Sequence, residues 1–395
     1  MMKALYSQEG AQFNIQILES PETQEFIEAH ASVLDSGFKQ VEMPEAMRRR
    51  LTRSDYVFSG MKTFHELNEA FPSLLDENGN RKPFERFLND VRKVDDTYNS
   101  NYLRAEYNFV RASAEMAAKW ERFMEDGDRY NLQYRTANDG KVRPEHAALH
   151  NVTLPPSDPF WEEFYPPNGW NCRCNVVQVR KSKYPVTDHD EAMSLGELAT
   201  GKDTKGIFHF NSGKEQKTVP DYNLYTIRRC RDCDMAKGKL KLAFIPDNEL
   251  CEACAIFQRC AGDREKTQRA IERAHYLHEM EPLLEKSITK SVEGQNLTIG
   301  FSQYGNKHLF SDTFGRTHIV SKEDLKNLDS YLENAQYIEN SPLTHERTDG
   351  IEHFYYFKSK INERWVRLNV AKKVERYRNG RTYISYFLYS VNDLE

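Results

Sequence analysis

The sequence predicts an α+β multidomain chain, and three features of its 395 residues carry that reading. Apolar residues recur at helical intervals through the first third, seven cysteines gather between Cys172 and Cys260, and strand alternation with an Asn-Gly turn appears near the end. A chain this long exceeds what one hydrophobic core organises. We expect a helical domain with a loop-rich Cys/His end over 1–180, a linker with paired cysteines and a helix over 181–290, and a helix packed on an antiparallel sheet over 291–395.

The helical region runs from Thr23 to about Met124. Phe84, Phe87, Leu88 and Val91 share one helical face, and Leu103, Tyr107, Val110, Ala114, Ala117 and Trp120 step by fours and threes along a longer one. Both stripes read as core. After Asp126-Gly127-Asp128, Pro144, Pro155, Pro156, Pro159, Pro166 and Pro167 exclude any long helix. That irregular stretch ends in Cys172-Arg173-Cys174. Two thiols so close cannot readily close a disulfide, but both can face one metal, and His146 and His150 would join them if the residues between were helical. The same spacing suits small buried thiols and ordinary polar histidines.

The order Tyr134-Arg135-Thr136, Arg143-Pro144-Glu145-His146, Trp161, Pro166-Pro167-Asn168-Gly169-Trp170, Cys172-Arg173-Cys174 closely resembles the Mu F-like head morphogenesis family. The resemblance covers Tyr134 to Cys174 and extends back through Glu106-Tyr107-Asn108 and Trp120. It implies a minor component of the phage head, with portal and other head proteins as partners, in the particle and the host cytoplasm. His146, Cys172 and Cys174 match family positions, whereas His150 stands where an acidic residue is expected, which leaves three ligand candidates. Nothing in the segment offers a catalytic triad or a phosphate-cradling glycine loop, so this domain reads as structural.

Residues 181–215 are polar and carry Gly196, Gly201, Gly206 and Gly213, which suggests a linker. Cys230-Arg231-Asp232-Cys233 and Cys251-Glu252-Ala253-Cys254 follow, seventeen residues apart, a zinc-ribbon-like four-cysteine spacing suited to a structural Zn²⁺. Cys260 is left over, and a redox role for either pair lacks the βαβ context it would need. A charged helix is expected from about Thr267 to Leu284.

The last region alternates polar and apolar from Trp365 to Val370, is β-rich from Tyr383 to Val391, and places Asn379-Gly380 between. A two-residue turn there sets Asn369 opposite Ser390. It puts Arg367, Asn369 and Ser390 on one face, and Val366, Leu368, Val370, Phe387, Tyr389 and Val391 on the other. Between Phe354 and Asn392 stand nine Lys or Arg against two Glu, interleaved with aromatics. That composition suits single-stranded RNA, and it equally suits an exposed sheet guarded by lysines. With Gly300 to Thr313, Arg316 and His318 upstream, the region from about Leu297 resembles the phage-associated branch of the barnase, EndoU, colicin and RelE nucleases. The resemblance implies a metal-independent endoribonuclease, a toxin with RNA as substrate and an immunity protein as a further partner. His308 is then the acid or base, Arg316 and Arg367 bind phosphate, Ser390 orients it, and Lys307 and His353 are secondary candidates. The alternative is a purely structural head protein whose last domain binds nucleic acid or a partner without catalysis.

With 39 % hydrophobic and 29 % charged residues and a net charge of -5, the chain lacks the basic footprint of a dedicated packaging protein. No apolar run of membrane-spanning length and no export signal is evident.

Overall fold

The computed structural model describes residues 1–9, 13–203, 206–221, 223–225, 249–310, 322–342, 347–376 and 381–394. Contacts divide the chain into two compact units, Met1–Arg264 and Glu265–Glu395.

The first unit is helical at its core: α1 (Met2–Ser7), α2 (Pro21–Ser36), α3 (Glu45–Ala70), α4 (Phe84–Asp96) and α5 (Leu103–Asp126). Both predicted stripes are core faces. Phe87 and Val91 of α4, and Phe109, Val110, Ala114, Ala117 and Trp120 of α5, are buried, while Phe84, Leu88, Leu103 and Tyr107 pack half-buried beside them. Ser20 caps α2 by accepting a hydrogen bond from Thr23 N, with Pro21 in the first turn, where its missing N–H costs nothing.

Three of these helices are tied by a buried polar network that periodicity does not reveal. The Lys62 ammonium on α3 donates to Glu106 Oε2 on α5 at 2.6 Å and lies 3.0 Å from His30 Nε2 on α2. His30 Nδ1 pairs with Ser59 Oγ at 2.7 Å, and the Tyr225 hydroxyl donates to Glu106 Oε1 at 2.8 Å. Burial pulls the Lys62 and His30 pKa values down. Burial pushes against the Glu106 carboxylate too, but the hydrogen bonds and charge of His30 and Lys62 hold it below its ordinary value. Losing one partner would leave the others buried and uncompensated.

Beyond α5 a three-stranded antiparallel sheet of order β2-β1-β3 forms from β1 (Tyr130–Arg135), β2 (Thr153–Leu154) and β3 (Asn175–Arg180). Short helices α6 (Pro144–Ala147) and α7 (Phe160–Glu163) punctuate the proline-rich stretch as expected. Residues 181–215 differ from the expected linker. They form α8 (His189–Thr200) and α9 (Ser212–Glu215), and Gly196 and Gly213 are contact points. A Cβ at Gly196 would lie 2.4 Å from the Phe164 ring, and one at Gly213 2.2 Å from Trp120 Cβ. Phe208 and Phe210 bury against Phe109. Glycine there permits close approach rather than flexibility.

Helix α10 (Glu249–Glu279) carries Cys251 and Cys254 in its first turns. The second expected knuckle is therefore helix rather than a ribbon turn, consistent with the helix formers around it. Cys254 and Cys260 pack half-buried on the helical core. Cys230 and Cys233 lie outside the described residues.

The second unit is a six-stranded sheet of order β4-β5-β9-β8-β7-β6: β4 (Ser287–Val292), β5 (Gln295–Gly300), β6 (Gln336–Pro342), β7 (Ile351–Ile361), β8 (Arg364–Arg376) and β9 (Thr382–Asp393). It departs from the expected antiparallel sheet at one joint, where β5 and β9 run parallel through Ile299↔Tyr386 and Gly300↔Phe387. Helices α11 (Gln303–His308), α12 (Lys322–Leu325) and α13 (Leu328–Glu333) complete it. One core gathers Tyr276, Met280, Leu325, Leu328 and Leu332 with Val366, Leu368, Val370, Leu388 and Val391 of the sheet.

The predicted pairing Asn369↔Ser390 is present, but by an unexpected route. Arg376 pairs with Thr382, one residue away from the register of a two-residue turn, and a bulge between Asn369 and Val370 restores the count. The turn residues Asn379 and Gly380 lie outside the described residues. The bulge corrects the predicted faces: Leu388 points to the core, whereas Phe387 and Tyr389 turn to the opposite face with Ala371 and Ile351.

Candidate functional sites

The first site is assembled by the loop-rich signature. Tyr134 lies on the central strand, fully buried, and its hydroxyl donates to Asn168 Oδ1 at 2.7 Å. Arg143 Nη2 donates to the Trp170 carbonyl at 2.6 Å, and Trp161 Nε1 to the Pro155 carbonyl at 3.1 Å. Tyr165 OH reaches the Met116 carbonyl on α5 at 2.9 Å. Arg173 forms a bidentate pair with Asp139 at 2.6 and 2.8 Å. The signature residues thus satisfy the backbone and side-chain polar groups of a region with little ladder of its own.

Within that frame His146, on α6, meets Cys172 and Cys174, which point the same way from a stretch leading into β3. Nδ1 of His146 lies 3.7 Å from each sulfur. The three donor atoms lie within 4.8 Å of one another, and His146 and Cys172 are buried. A tetrahedral zinc ion with Zn–S near 2.3 Å and Zn–N near 2.0–2.1 Å sets its ligands roughly 3.5–3.8 Å apart, so this trio fits three corners. Hydrogen bonding from Cys174 draws the Cys172 thiol well below its ordinary pKa against the effect of burial, with His146 assisting, and Cys174 is pushed up in return. A cleft of about 270 Å³ opens on the trio, lined also by Lys141, Arg143 and Arg173.

His150 is absent from the trio, which holds the three candidates that the departure at His150 had left. Helix α6 stops at Ala147, Asn151 takes a left-handed φ of 75°, and His150 Nδ1 instead accepts from Thr136 N at 3.2 Å. Only a helix continuing through His150 would have aligned the two histidines.

The second site lies on the sheet face opposite the main core of the C-terminal unit. Helix α11 starts at Ser302, whose Oγ accepts from Gly305 N at 3.0 Å, and it sits so close to β9 that a Cβ at Gly305 would fall 2.3 Å from the Leu388 carbonyl. That approach lays the His308 ring on Tyr389, with centroids 4.3 Å apart and planes at 25°. Tyr304, one turn earlier, meets His308 edge-on at 4.7 Å. Asn369 Nδ2 donates to Ser390 Oγ at 2.8 Å in a buried pair, while Asn369 Oδ1 and Arg367 Nε are buried without a partner among the described residues. Arg367 stacks over Tyr356 at 4.5 Å.

Of the residues predicted for this site, His308, Arg367 and Ser390 share the described face, and Arg316 and His318 lie outside the described residues. Lys307 is exposed on α11. His353 pairs with Lys372 one step from Phe354↔Ala371, so it faces away from Tyr389. Sequence reasoning missed Tyr304, Arg347, Asp349 and Tyr389. Arg347 Nη2 donates to Asp349 Oδ2 at 2.6 Å and to Tyr389 OH at 3.1 Å, and Tyr304 OH donates to the same carboxylate oxygen at 2.7 Å. Only the aromatic richness of the segment hinted at them.

Among known proteins, residues 78–177 match the family described as Phage Mu protein F like protein. The F protein of Escherichia phage Mu, whose name proposes capsid assembly, is 40 % identical over 161 residues, covering 38 % of this chain and 34 % of that protein. The Mu-like prophage FluMu F protein of Haemophilus influenzae is 32 % identical over 137 residues, 33 % of this chain and 30 % of that one. The matched region spans about a third of the length of these curated relatives. No solved structure matches.

Proposed function

We propose that this chain, which carries a Mu F-like domain, acts in phage head morphogenesis and joins to that role an RNA-cleaving C-terminal unit. The family match over residues 78–177, which include His146, Cys172 and Cys174, together with the similarity to the phage Mu protein named for capsid assembly, carries the first half. Its partners are the portal and other head proteins, and it works in the particle and the host cytoplasm. No helix among the described residues is long and apolar enough to cross a membrane.

Zinc at His146, Cys172 and Cys174 would be structural, clamping α6 to the lead of β3 where hydrogen-bonded ladder is scarce. A second structural zinc is proposed at Cys230, Cys233, Cys251 and Cys254.

The stacked His308, on one sheet face with Arg367 and the buried Asn369–Ser390 pair, supports the second half. RNA cleavage without metal requires a base to take the 2′-hydroxyl proton as O2′ bonds to phosphorus. The bond from phosphorus to O5′ breaks, and an acid returns a proton to that oxygen. The products are a 2′,3′-cyclic phosphate and a 5′-hydroxyl. His308 serves as the acid or base, Arg316 and Arg367 face phosphate, and Ser390 orients it. An immunity protein would protect a host from such a toxin.

One observation favours a second reading: the described face holds one imidazole, so the sheet would bind nucleic acid or a partner without cutting. Incubating the full chain and His308→Ala with structured RNA and single-stranded DNA in EDTA separates the two. Cleavage of RNA that the substitution abolishes supports the nuclease, and intact RNA with a well-folded parent supports binding alone.

A further inference from the structure

The described part of the C-terminal face contains a firmly held cationic group that the sequence did not single out. Arg347 lies in the turn leading into β7, and that turn is built. Gly350 has φ 81°, a Cβ on it would meet the Val374 carbonyl at 3.0 Å, and its own carbonyl accepts from Val374 N at 2.8 Å. Asp349 accepts Arg347 Nε at 3.0 Å and Nη2 at 2.6 Å, accepts Tyr304 OH at 2.7 Å, and is steadied by Ile351 N at 3.3 Å. The guanidinium lies over the Tyr389 ring at 5.6 Å and the Phe354 ring at 6.0 Å. Tyr389 OH stands between it and His308, 3.1 Å from Arg347 Nη2 and 3.4 Å from His308 Nε2.

Resting on the nuclease reading for its substrate, we propose that Arg347 binds the phosphodiester beside His308, with Asp349 and Tyr389 as positioning residues for the two groups. A carboxylate on one edge of a guanidinium fixes its plane and leaves the other edge for an anion. Here Nε and Nη2 are committed to Asp349 and Tyr389, and the Nη1 edge remains for phosphate oxygen; the side chain is about one-third exposed, so that edge can be reached. Two further polar atoms on the sheet face, Asn369 Oδ1 and Arg367 Nε, are buried without partners among the described residues, as expected where a polar ligand completes the bonding. Tyr304 and Phe354 offer ring surfaces on which an unpaired base can stack. The ligand is therefore single-stranded, with its scissile phosphate at Arg347 and His308.

The test uses the full chain with two probes of one sequence: a single-stranded RNA for cleavage and its 2′-deoxy counterpart, which cannot undergo the reaction, for binding. Arg347→Ala should lower kcat roughly 100-fold, the order expected for losing a phosphate-directed donor, and weaken 2′-deoxy binding roughly 10-fold. Guanidinium ion added to Arg347→Ala should restore part of kcat, a rescue that a merely structural role would not allow. Arg347→Lys, which keeps the charge, should recover binding but little of kcat, and it preserves the test if the alanine variant fails to fold. Tyr389→Phe should lower kcat and leave KM nearly unchanged. If the parent cleaves and all three variants cleave and bind as it does, the assignment of Arg347 is overturned while the nuclease reading stands. If the parent binds the deoxy strand through Arg347 without cutting RNA, the nuclease reading falls and the phosphate site stands. A parent that does neither overturns both.

Discussion

The two histidine sites differ in what holds the imidazole. His146 is buried 3.7 Å from each of two thiols, in a segment where almost every motif residue anchors another. His308 is half-buried, laid on Tyr389 by a helix that glycine lets approach β9, with Tyr304 edge-on beside it. The first arrangement has the donor set and spacing of a metal site, and the second sets an imidazole between two tyrosine rings.

The largest effect is expected from Glu106→Ala, which strands Lys62 in the helical core and should cost about 3–5 kcal/mol. Denaturant unfolding followed by probes in each unit should show the transition of the first unit moved and that of the second in place. Cys172→Ser should remove the zinc proposed for the signature site, read as a loss of one metal equivalent by elemental analysis, and leave the proposed RNA cleavage in EDTA unchanged. Gly350→Ala should cost roughly 1–3 kcal/mol of backbone strain and lower cleavage through Arg347, seen by comparing melting and kcat. Asn369→Ala, losing one buried hydrogen bond to Ser390, should cost about 1 kcal/mol.

A smaller effect concerns pH. Burial pushes the Glu66 pKa up to about 8, against the hydrogen bond from Asn99. The folded state therefore binds a proton that the unfolded chain has released, and stability contributed by this group falls as pH rises from about 4.5 to about 8. Glu66→Gln should flatten that decline and raise the melting temperature at about pH 8 more than at about pH 5.

Much of the first unit was legible because its information is local. Stripes on α4 and α5 follow from spacing, and the order from Tyr134 to Cys174 singled out the three residues that cluster, His146, Cys172 and Cys174. Spacing alone left His150 open, because whether a helix continues to it is not written in periodicity, and α6 ends before it. The Lys62–Glu106–His30 network was invisible because it joins three helices far apart in sequence. In the C-terminal unit, alternation and the Asn-Gly pair located β8 and β9 and paired Asn369 with Ser390. They missed the bulge, and a one-residue bulge reverses which aromatics face the core. Arg347 could not be found at all, since its place depends on a turn pinned to β8 and on rings supplied by two other segments.

On the proposed function, one chain carries head assembly and RNA cleavage in separable parts. Phage heads assembled with the parent chain or with His308→Ala should be purified, counted, opened and assayed on single-stranded RNA. The account predicts equal numbers of heads, the chain present in both, and cleavage from the parent heads alone. Heads that lack the chain, a fall in head number with His308→Ala, or opened parent heads that leave RNA intact would contradict it.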